Sequence, residues 1–399
     1  MPRFSDLQER LDTLRAQNMY RKRRNVSSRQ GRAIRVDGRE LLNFCSNDYL
    51  GLAGDVRVAE AFKTAVERWG VGAGASHLVC GHTQAHEELE TTLAEFTGRP
   101  RALVYSSGYA ANVGVINALL SVSDLVCEDR LNHASLLDGG WISRARFAWY
   151  GHLDHDDLDL QLASDANRKL VVSDGTFSMD GDRCRLDDLI AVARRRDAWV
   201  MVDDAHGMGV HGPGGVGLVD PARYTVDDVQ VLVGTFGKAF GTSGAGSEAL
   251  IETLIQRSRN YIYTTAMPPA IAVATLASLA ILRDEAWRRD RLEALIARFR
   301  EGATRLGFTP PPSTSPIQPL IVGEPQAALD MSRGLEERGC LCTAIRPPSV
   351  PEGTSRLRIT LTAAHTDADV DRLIGALEEV RKASDDETRT TQHFGSTFQ

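Results

Sequence analysis

The chain lacks a hydrophobic run long enough to cross a bilayer. A long uncharged stretch, Tyr261 to Leu282, is interrupted by Pro268-Pro269 and carries several Thr and Ser. The part beyond the prolines, Ala270 to Leu282, falls short of the ~20 residues a span needs and reads as a buried helix. The first residues, Met1-Pro2-Arg3-Phe4-Ser5-Asp6, have no apolar core of the kind a secretory leader requires. A cationic surplus is also missing: 46 Lys and Arg stand against 53 Asp and Glu, a net charge of -7. That balance argues against general nucleic-acid binding, which needs a basic face. Cysteine is sparse and scattered, at positions 45, 80, 127, 184, 340 and 342, with no Cys-x-x-Cys pair. Cys340 and Cys342 fall on one face of a strand-like run without partner ligands. The expectation is six reduced thiols in a cytoplasmic protein, and no metal site. Two glycine fingerprints are absent as well. The run Gly70 to Ser76 has His77 where a dinucleotide loop would close on Gly, and no strand precedes it. The loop at Lys238 has Ala239 where a P-loop needs Ser or Thr.

What remains is an ordinary globular composition, 42% apolar and 25% charged, in 399 residues, enough for two or three domains. Residues 4–19 place Phe4, Leu7, Leu11 and Leu14 at helical spacing, and the basic cluster Arg21 to Arg24 follows. Gly70 to Ser76 reads as a flexible loop and Thr83 to Phe96 as a helix. From residue 101 strands and helices alternate. Strands are expected at 101–106, 125–128, 169–173, 199–202 and from Val231, with helices from Gly108 and over 187–196. This alternation predicts an α/β domain built on a mainly parallel sheet. A long helical stretch from Ala270 to about Arg300 then leads to a smaller α+β unit, with strands at 316–322, 341–346 and 357–361 and helices near 326–338 and 366–382. The expected division is an N-terminal helix and arm (1–46), a large domain (47–275), a small C-terminal domain (276–382) and a polar tail (383–399) expected to be disordered.

Ligands of parallel sheets bind beyond the C-terminal strand ends. Ser107, His133, Ser178, Asp203, His206 and Lys238 all lie at or just past such ends. Lys238 follows the buried run Val231-Leu232-Val233 among small residues, where desolvation would make its amine a nucleophile. A solvated lysine on a glycine turn is the plainer alternative. Ser106-Ser107-Gly108-Tyr109 opens a helix, a natural phosphate site, although the same residues also make a simple N-cap. An amine, an anion site and a carboxylate together match the demands of pyridoxal phosphate. Asp203 would face the pyridine nitrogen, His206 the phenolic oxygen and His133 the ring face.

These motifs resemble the α-oxoamine synthases, a family of class-II, fold-type-I pyridoxal-phosphate enzymes with a large domain and a smaller α+β domain. The resemblance rests on Asp203-x-Ala205-His206 followed by Thr235-Phe236-Gly237-Lys238-Ala239-Phe240-Gly241. It also rests on Asn47 to Leu52, Asp129 to Ser135, Phe177 to Gly181 and Tyr263 to Pro269. The match runs from the N-terminal helix to about residue 382. Thr343 to Pro351 and Arg356 to His365 are most similar to members that condense L-alanine with a pimeloyl thioester, of coenzyme A or acyl carrier protein, releasing carbon dioxide. The resemblance implies that Lys238 holds the cofactor as an internal aldimine and then acts as acid and base at the alanine Cα. Asp203 would pair with the pyridinium, His206 with the phenolate and His133 with the ring face, with Ser178 beside the ring. Ser107, Gly108, Tyr109 and Thr235 would hold the phosphate, and Thr264 or Thr265 would reach the partner's phosphate across a homodimer. Asn47 and Arg358 would take the amino-acid carboxylate, and Arg21, Arg346 and Ser349 the acyl substrate. Two positions depart from the pattern: Asp174 stands where the family usually has Glu, and Ser349 where close relatives have Thr. The alternatives are a family member using glycine with acetyl- or succinyl-CoA, a plain aminotransferase, or a catalytically silent subunit; the presence of Lys238 disfavours the last.

Overall fold

The computed structural model describes residues 5–235 and 237–395. Phe4 of the first apolar stripe, Phe236 of the lysine motif and the last four residues of the tail lie outside them. In chain order the strands are β1 (Ala33–Val36), β2 (Arg39–Asn43), β3 (Arg101–Leu103), β4 (Leu125–Asp129), β5 (Arg146–Tyr150), β6 (Lys169–Asp174), β7 (Trp199–Asp203), β8 (Val231–Thr235), β9 (Phe240–Gly246), β10 (Ile317–Gly323), β11 (Cys340–Leu341), β12 (Thr343–Ile345) and β13 (Ser355–Thr360). The chain divides into two compact units, one formed by Asn47–Asp290 and the other by Met1–Ser46 with Arg291–Gln399.

The Asn47–Asp290 unit holds a seven-stranded sheet in the order β3-β9-β8-β7-β6-β4-β5. The pairs β8/β7, β7/β6, β6/β4 and β4/β5 are parallel, and β9 runs antiparallel to both of its neighbours. Strands β4, β6, β7 and β8 are buried almost throughout. That explains their near-continuous apolar runs, since a parallel sheet is covered on both faces. Val126, Leu170, Val172, Met201, Val231 and Val233 pack with Val115, Leu119 and Leu136, and with Ile251 and Leu254. Burying each such side chain contributes roughly 1.5–3 kcal/mol. In-register pairing sets Asp174 beside Asp203, and Asp203 beside Val233. The polar residues that end these strands therefore emerge at one level, along one edge of the sheet.

The other unit carries two small sheets, β1-β2-β11 and β10-β13-β12. Ile34, Val36 and Leu41 form a core against Leu341. Thr360 N donates to Phe44 O at 2.8 Å, tying the arm to the end of β13. The arm therefore belongs with the C-terminal residues rather than standing apart.

Several expectations are revised. The domain boundary falls at 290 rather than 275. The helix Pro269–Asp284 packs on the helices Val56–Trp69 and Gln84–Thr97, and Arg288 donates to Leu50 O at 2.7 Å, all inside the same unit. The expected single helix over 270–300 is two, Pro269–Asp284 and Trp287–Arg305. The final helix runs Asp367–Gly395, through residues expected to be disordered, because no Gly or Pro interrupts 376–394. The first helix spans Ser5–Ala16, with Leu7, Leu11 and Leu14 exposed. The loop 70–76 is pinned by the Ser76–Thr265 bridge and leads into a π-helical turn, His77–Gly81. Strand β5 was not anticipated: as an edge strand with Arg146 and Trp149 exposed, it lacks the buried apolar signature.

Candidate active site

Five loops leave the sheet at the C-terminal ends of its strands or close by, and each carries an anticipated residue. Ser107 follows β3, His133 follows β4, Ser178 follows β6, Asp203 and His206 end β7, and Thr235 and Lys238 end β8. Lys238 sits partly buried in the turn between β8 and β9. Its Nζ lies 2.7 Å from His206 Nε2, and His206 Nδ1 lies 2.7 Å from the hydroxyl of Tyr49. Tyr49 in turn donates to Asn47 Oδ1 at 3.2 Å. Donors and acceptors alternate along this chain. If the Tyr49 proton goes to Asn47, His206 Nδ1–H donates to Tyr49, and His206 Nε2 accepts from the lysine amine; this tautomer is assigned from the network. His206 and Tyr49 are buried, so the chain is sheltered from bulk water.

The carboxylate is chosen by strand alternation. Successive side chains of β7 point to opposite faces. Asp203 Oδ2 accepts from Asn112 Nδ2 at 2.6 Å, and Oδ1 accepts from Ala205 N at 3.0 Å. Asp204 turns the other way, accepts from Leu218 N at 2.6 Å, and is pushed up to about 8 by burial. Gly175, Gly207 and Gly217 close around Asp204: a Cβ on Gly207 would sit 2.0 Å from Asp204 Oδ1, and one on Gly217 2.1 Å from Oδ2. Asp204 is therefore a packing residue, and Asp203 is the acid in the polar network.

That network continues to His133. Asn112 Nδ2 also donates to Ser135 Oγ at 2.9 Å, and Ser135 Oγ lies 2.7 Å from His133 Nδ1. His133 Nδ1 caps the helix Ala134–Ile142 by accepting from Ser135 N at 3.2 Å. An imidazole whose Nδ1 accepts twice is neutral. Burial lowers its pKa, nearby Lys238 adds to the shift, and Asp203 opposes it. Asp174 Oδ2 accepts from His133 N at 2.6 Å and so fixes the turn beneath the ring. Burial, and then the adjacent Asp203, raise its pKa. Asp174 thus reaches the His133 backbone.

Ser107 caps the helix Gly108–Leu119, its Oγ accepting from Ala110 N at 3.1 Å. The first amides of that helix have no intrahelical acceptor and face outward with the positive end of the helix dipole. The Tyr109 ring meets His133 edge-on, with centroids 6.5 Å apart, and its hydroxyl donates to Asp138. Gly237 N donates to Thr235 Oγ1 at 3.4 Å. Ser178 lies in the tight turn where Gly181 N donates to Phe177 O at 2.8 Å. Thr264 and Thr265 are exposed.

The remaining anticipated residues belong to the other unit. Arg21 donates to Ser349 Oγ at 3.2 Å, and Arg346 donates to Asn18 O. Burial, with Arg21 next to it, lowers the Arg346 pKa. Residues more than three hundred positions apart thus form one basic cluster. Arg358 is buried within β13. Asn112 and Ser135 were not anticipated as site residues, because a mid-helix Asn and a first-turn Ser carry no distinctive signal. Tyr49 was visible only as part of its turn motif. His82, Glu87 and Glu90 bring possible ligand atoms within 4.8 Å of one another, a grouping the scattered-cysteine argument did not consider.

The chemistry of these groups fits pyridoxal phosphate: a sheltered amine, an acid on the neighbouring strand, a neutral imidazole and a helix N-terminus, all served by one sheet edge. Residues 39–377 match the family of class I and II aminotransferases. The 8-amino-7-oxononanoate synthase of Saccharophagus degradans is 56% identical over 384 residues, covering 95% of this chain and 97% of that relative. The chain belongs to the 8-amino-7-oxononanoate synthase family. Among solved structures, the 8-amino-7-oxononanoate synthase of Francisella tularensis superposes with a TM-score of 0.74 at 28% identity, covering 86% of this chain and 98% of that one. A structure of SPT with its PLP internal aldimine superposes with a TM-score of 0.89 at 29% identity, covering 95% and 98%. Members of the 8-amino-7-oxononanoate synthase family share the fold-type-I architecture seen here, and among the described residues no helix is long and apolar enough to cross a membrane.

Proposed function

We propose that this chain uses pyridoxal 5'-phosphate to join L-alanine to a pimeloyl thioester, releasing carbon dioxide and the thiol carrier and forming 8-amino-7-oxononanoate, a step of biotin synthesis. The observation that carries the proposal is the Lys238 amine 2.7 Å from His206, in the turn that follows β8, the strand next to the one that ends in Asp203. When bound, the cofactor supplies an electron sink for the carbanion formed at the amino-acid Cα. Lys238 would hold the cofactor through its aldehyde carbon and would move the proton at the amino-acid Cα. His206 hydrogen-bonds the amine at 2.7 Å and would pair with the phenolic oxygen of the bound cofactor. Asp203, held by Asn112 and Ala205, pairs with the ring nitrogen. His133, neutral and locked by Ser135, covers the ring face, and Ser178 lies beside it. Ser107, Gly108, Tyr109 and Thr235 hold the phosphate. Asn47, at the end of the His206–Tyr49 chain, binds the amino-acid carboxylate.

Arg21, Arg346 and Ser349 bind the acyl substrate, where the two guanidinium groups suit an anionic chain end. The protein works in the cytoplasm as a homodimer, with Thr264 or Thr265 reaching the partner's phosphate. The test is a panel of amino acids and acyl thioesters scored for carbon dioxide release. L-alanine with pimeloyl-CoA or pimeloyl-acyl carrier protein is expected to exceed every other pair. A preference for glycine with acetyl- or succinyl-CoA would replace this reading with another α-oxoamine synthase activity. Arg21→Ala is expected to raise KM for the thioester about 10-fold, the size of a lost charge-assisted hydrogen bond, with alanine KM unchanged. Equal losses for both substrates would remove Arg21 from the acyl site.

A further inference from the structure

His152 lies just past β5, outside every motif that the proposed chemistry uses. Its Nδ1 meets the two carboxylate oxygens of Asp129 at 3.0 and 3.2 Å, and its Nε2 meets Asp182 Oδ2 at 2.8 Å. Asp129 is fully buried at the end of β4. Its Oδ1 also accepts from Leu131 N at 2.8 Å and its Oδ2 from Leu153 N at 3.0 Å, so it organises the turn that delivers His133. Asp182 closes the turn that carries Ser178, its carbonyl accepting from Phe177 N at 2.9 Å. Among the described residues, His152 is the side chain bonded to the Asp182 carboxylate, and Asp182 Oδ1 has no partner. The Phe177 ring meets His152 edge-on at 4.5 Å and 89°. With a carboxylate on each ring nitrogen, both nitrogens donate and the imidazole is the cation.

We infer that His152 is a positioning residue: by bridging Asp129 and Asp182 it fixes the turn bearing His133 against the turn bearing Ser178. Catalytic placement would otherwise depend on two separate loops, and errors of about 1 Å there cost ~10²-fold in rate. This inference rests on the proposed roles of His133 and Ser178.

The experiment compares the parent holoenzyme with H152A and D182N by hydrogen-exchange mass spectrometry, by the cofactor's visible absorption band and by steady-state kinetics. Both variants are expected to exchange about 10-fold faster over 129–134 and over 175–182. The visible band should shift, and kcat should fall about 10- to 100-fold while KM for alanine changes less than threefold. The double variant should be no slower than H152A alone, because both substitutions break one bridge. Parental exchange at either segment, or kcat within twofold of the parent, overturns the inference. If H152A does not fold, D182N alone decides it by the same readouts. Failure of the underlying functional reading would show separately, as a parent protein with no visible band.

Discussion

Two stretches of the same sheet edge hold histidines in opposite charge states. Around Lys238, His206 and His133 sit in chains of neutral partners: Tyr49 and Asn47 on one side, Ser135 and Asn112 on the other. At the end of β5, His152 sits between two carboxylates. Burial acts on His133 and His152 in the same direction, against the charged form. It wins at His133, whose pKa falls, and loses at His152, which is raised to about 10 by Asp129 and Asp182. The partner, more than the depth, decides what a partly desolvated imidazole becomes. A neutral ring suits the cofactor-facing role proposed for His133, and a cation suits the loop-pinning role inferred for His152.

The largest break in this contrast is Lys238→Ala, which removes the one amine that the neutral chain serves. Turnover of alanine and pimeloyl-CoA should drop by roughly 10³-fold or more, and borohydride should no longer fix the cofactor to the protein. Retained turnover at the parent rate would refute the role of Lys238. Next comes Asp203→Asn, which keeps the size of the side chain and removes its charge. A loss of about 10²- to 10³-fold in kcat is expected, as for other preorganised electrostatic partners. A smaller loss there than for Asp204→Asn would mean that the face assigned to β7 is wrong.

Tyr49→Phe deletes one link of the neutral chain without changing its shape. About a fivefold fall in kcat is expected, the value of one net hydrogen bond near 1 kcal/mol. The subtlest test is pH. His152 has a folded pKa above its unfolded value, so its stabilisation is complete below about 6.5 and disappears as pH rises through about 10. His133 works in the opposite sense, its contribution falling away as pH drops below about 6.5. The groups facing His152 are Asp129 and Asp182, and Arg185 bonds Leu153 O and His155 beside it. H152Q should therefore melt about 3 °C below the parent near pH 7, taking ~1 kcal/mol for a partly exposed ion pair. The gap should close toward pH 10. A gap that stays constant with pH would show that the charge on His152 contributes nothing.

Much of this architecture was legible because parallel strands buried on both faces leave a strong apolar signal. Strands β4, β6, β7 and β8 were each legible to within a residue or two, and the residues past their ends follow strands of one sheet. Strand β5 escaped because it is an edge strand with exposed residues. The Arg21–Ser349 contact spans 328 positions, beyond the reach of any local pattern, and was anticipated only through resemblance. Asn112, Ser135 and His152 were missed for a shared reason: each acts by bonding to another side chain, and such bonds leave no periodicity. Composition alone pointed to disorder beyond residue 382, whereas the helix Asp367–Gly395 meets no Gly or Pro over 376–394.

The Asp203–Asp204 pair has a consequence for anyone transplanting this chemistry onto another sheet. One acid joins the Asn112 network and its neighbour is packed among three glycines, Gly175, Gly207 and Gly217. The portable unit is therefore the whole knot of strand end and surrounding loops. A graft that copied Asp203 alone would leave its orientation to chance.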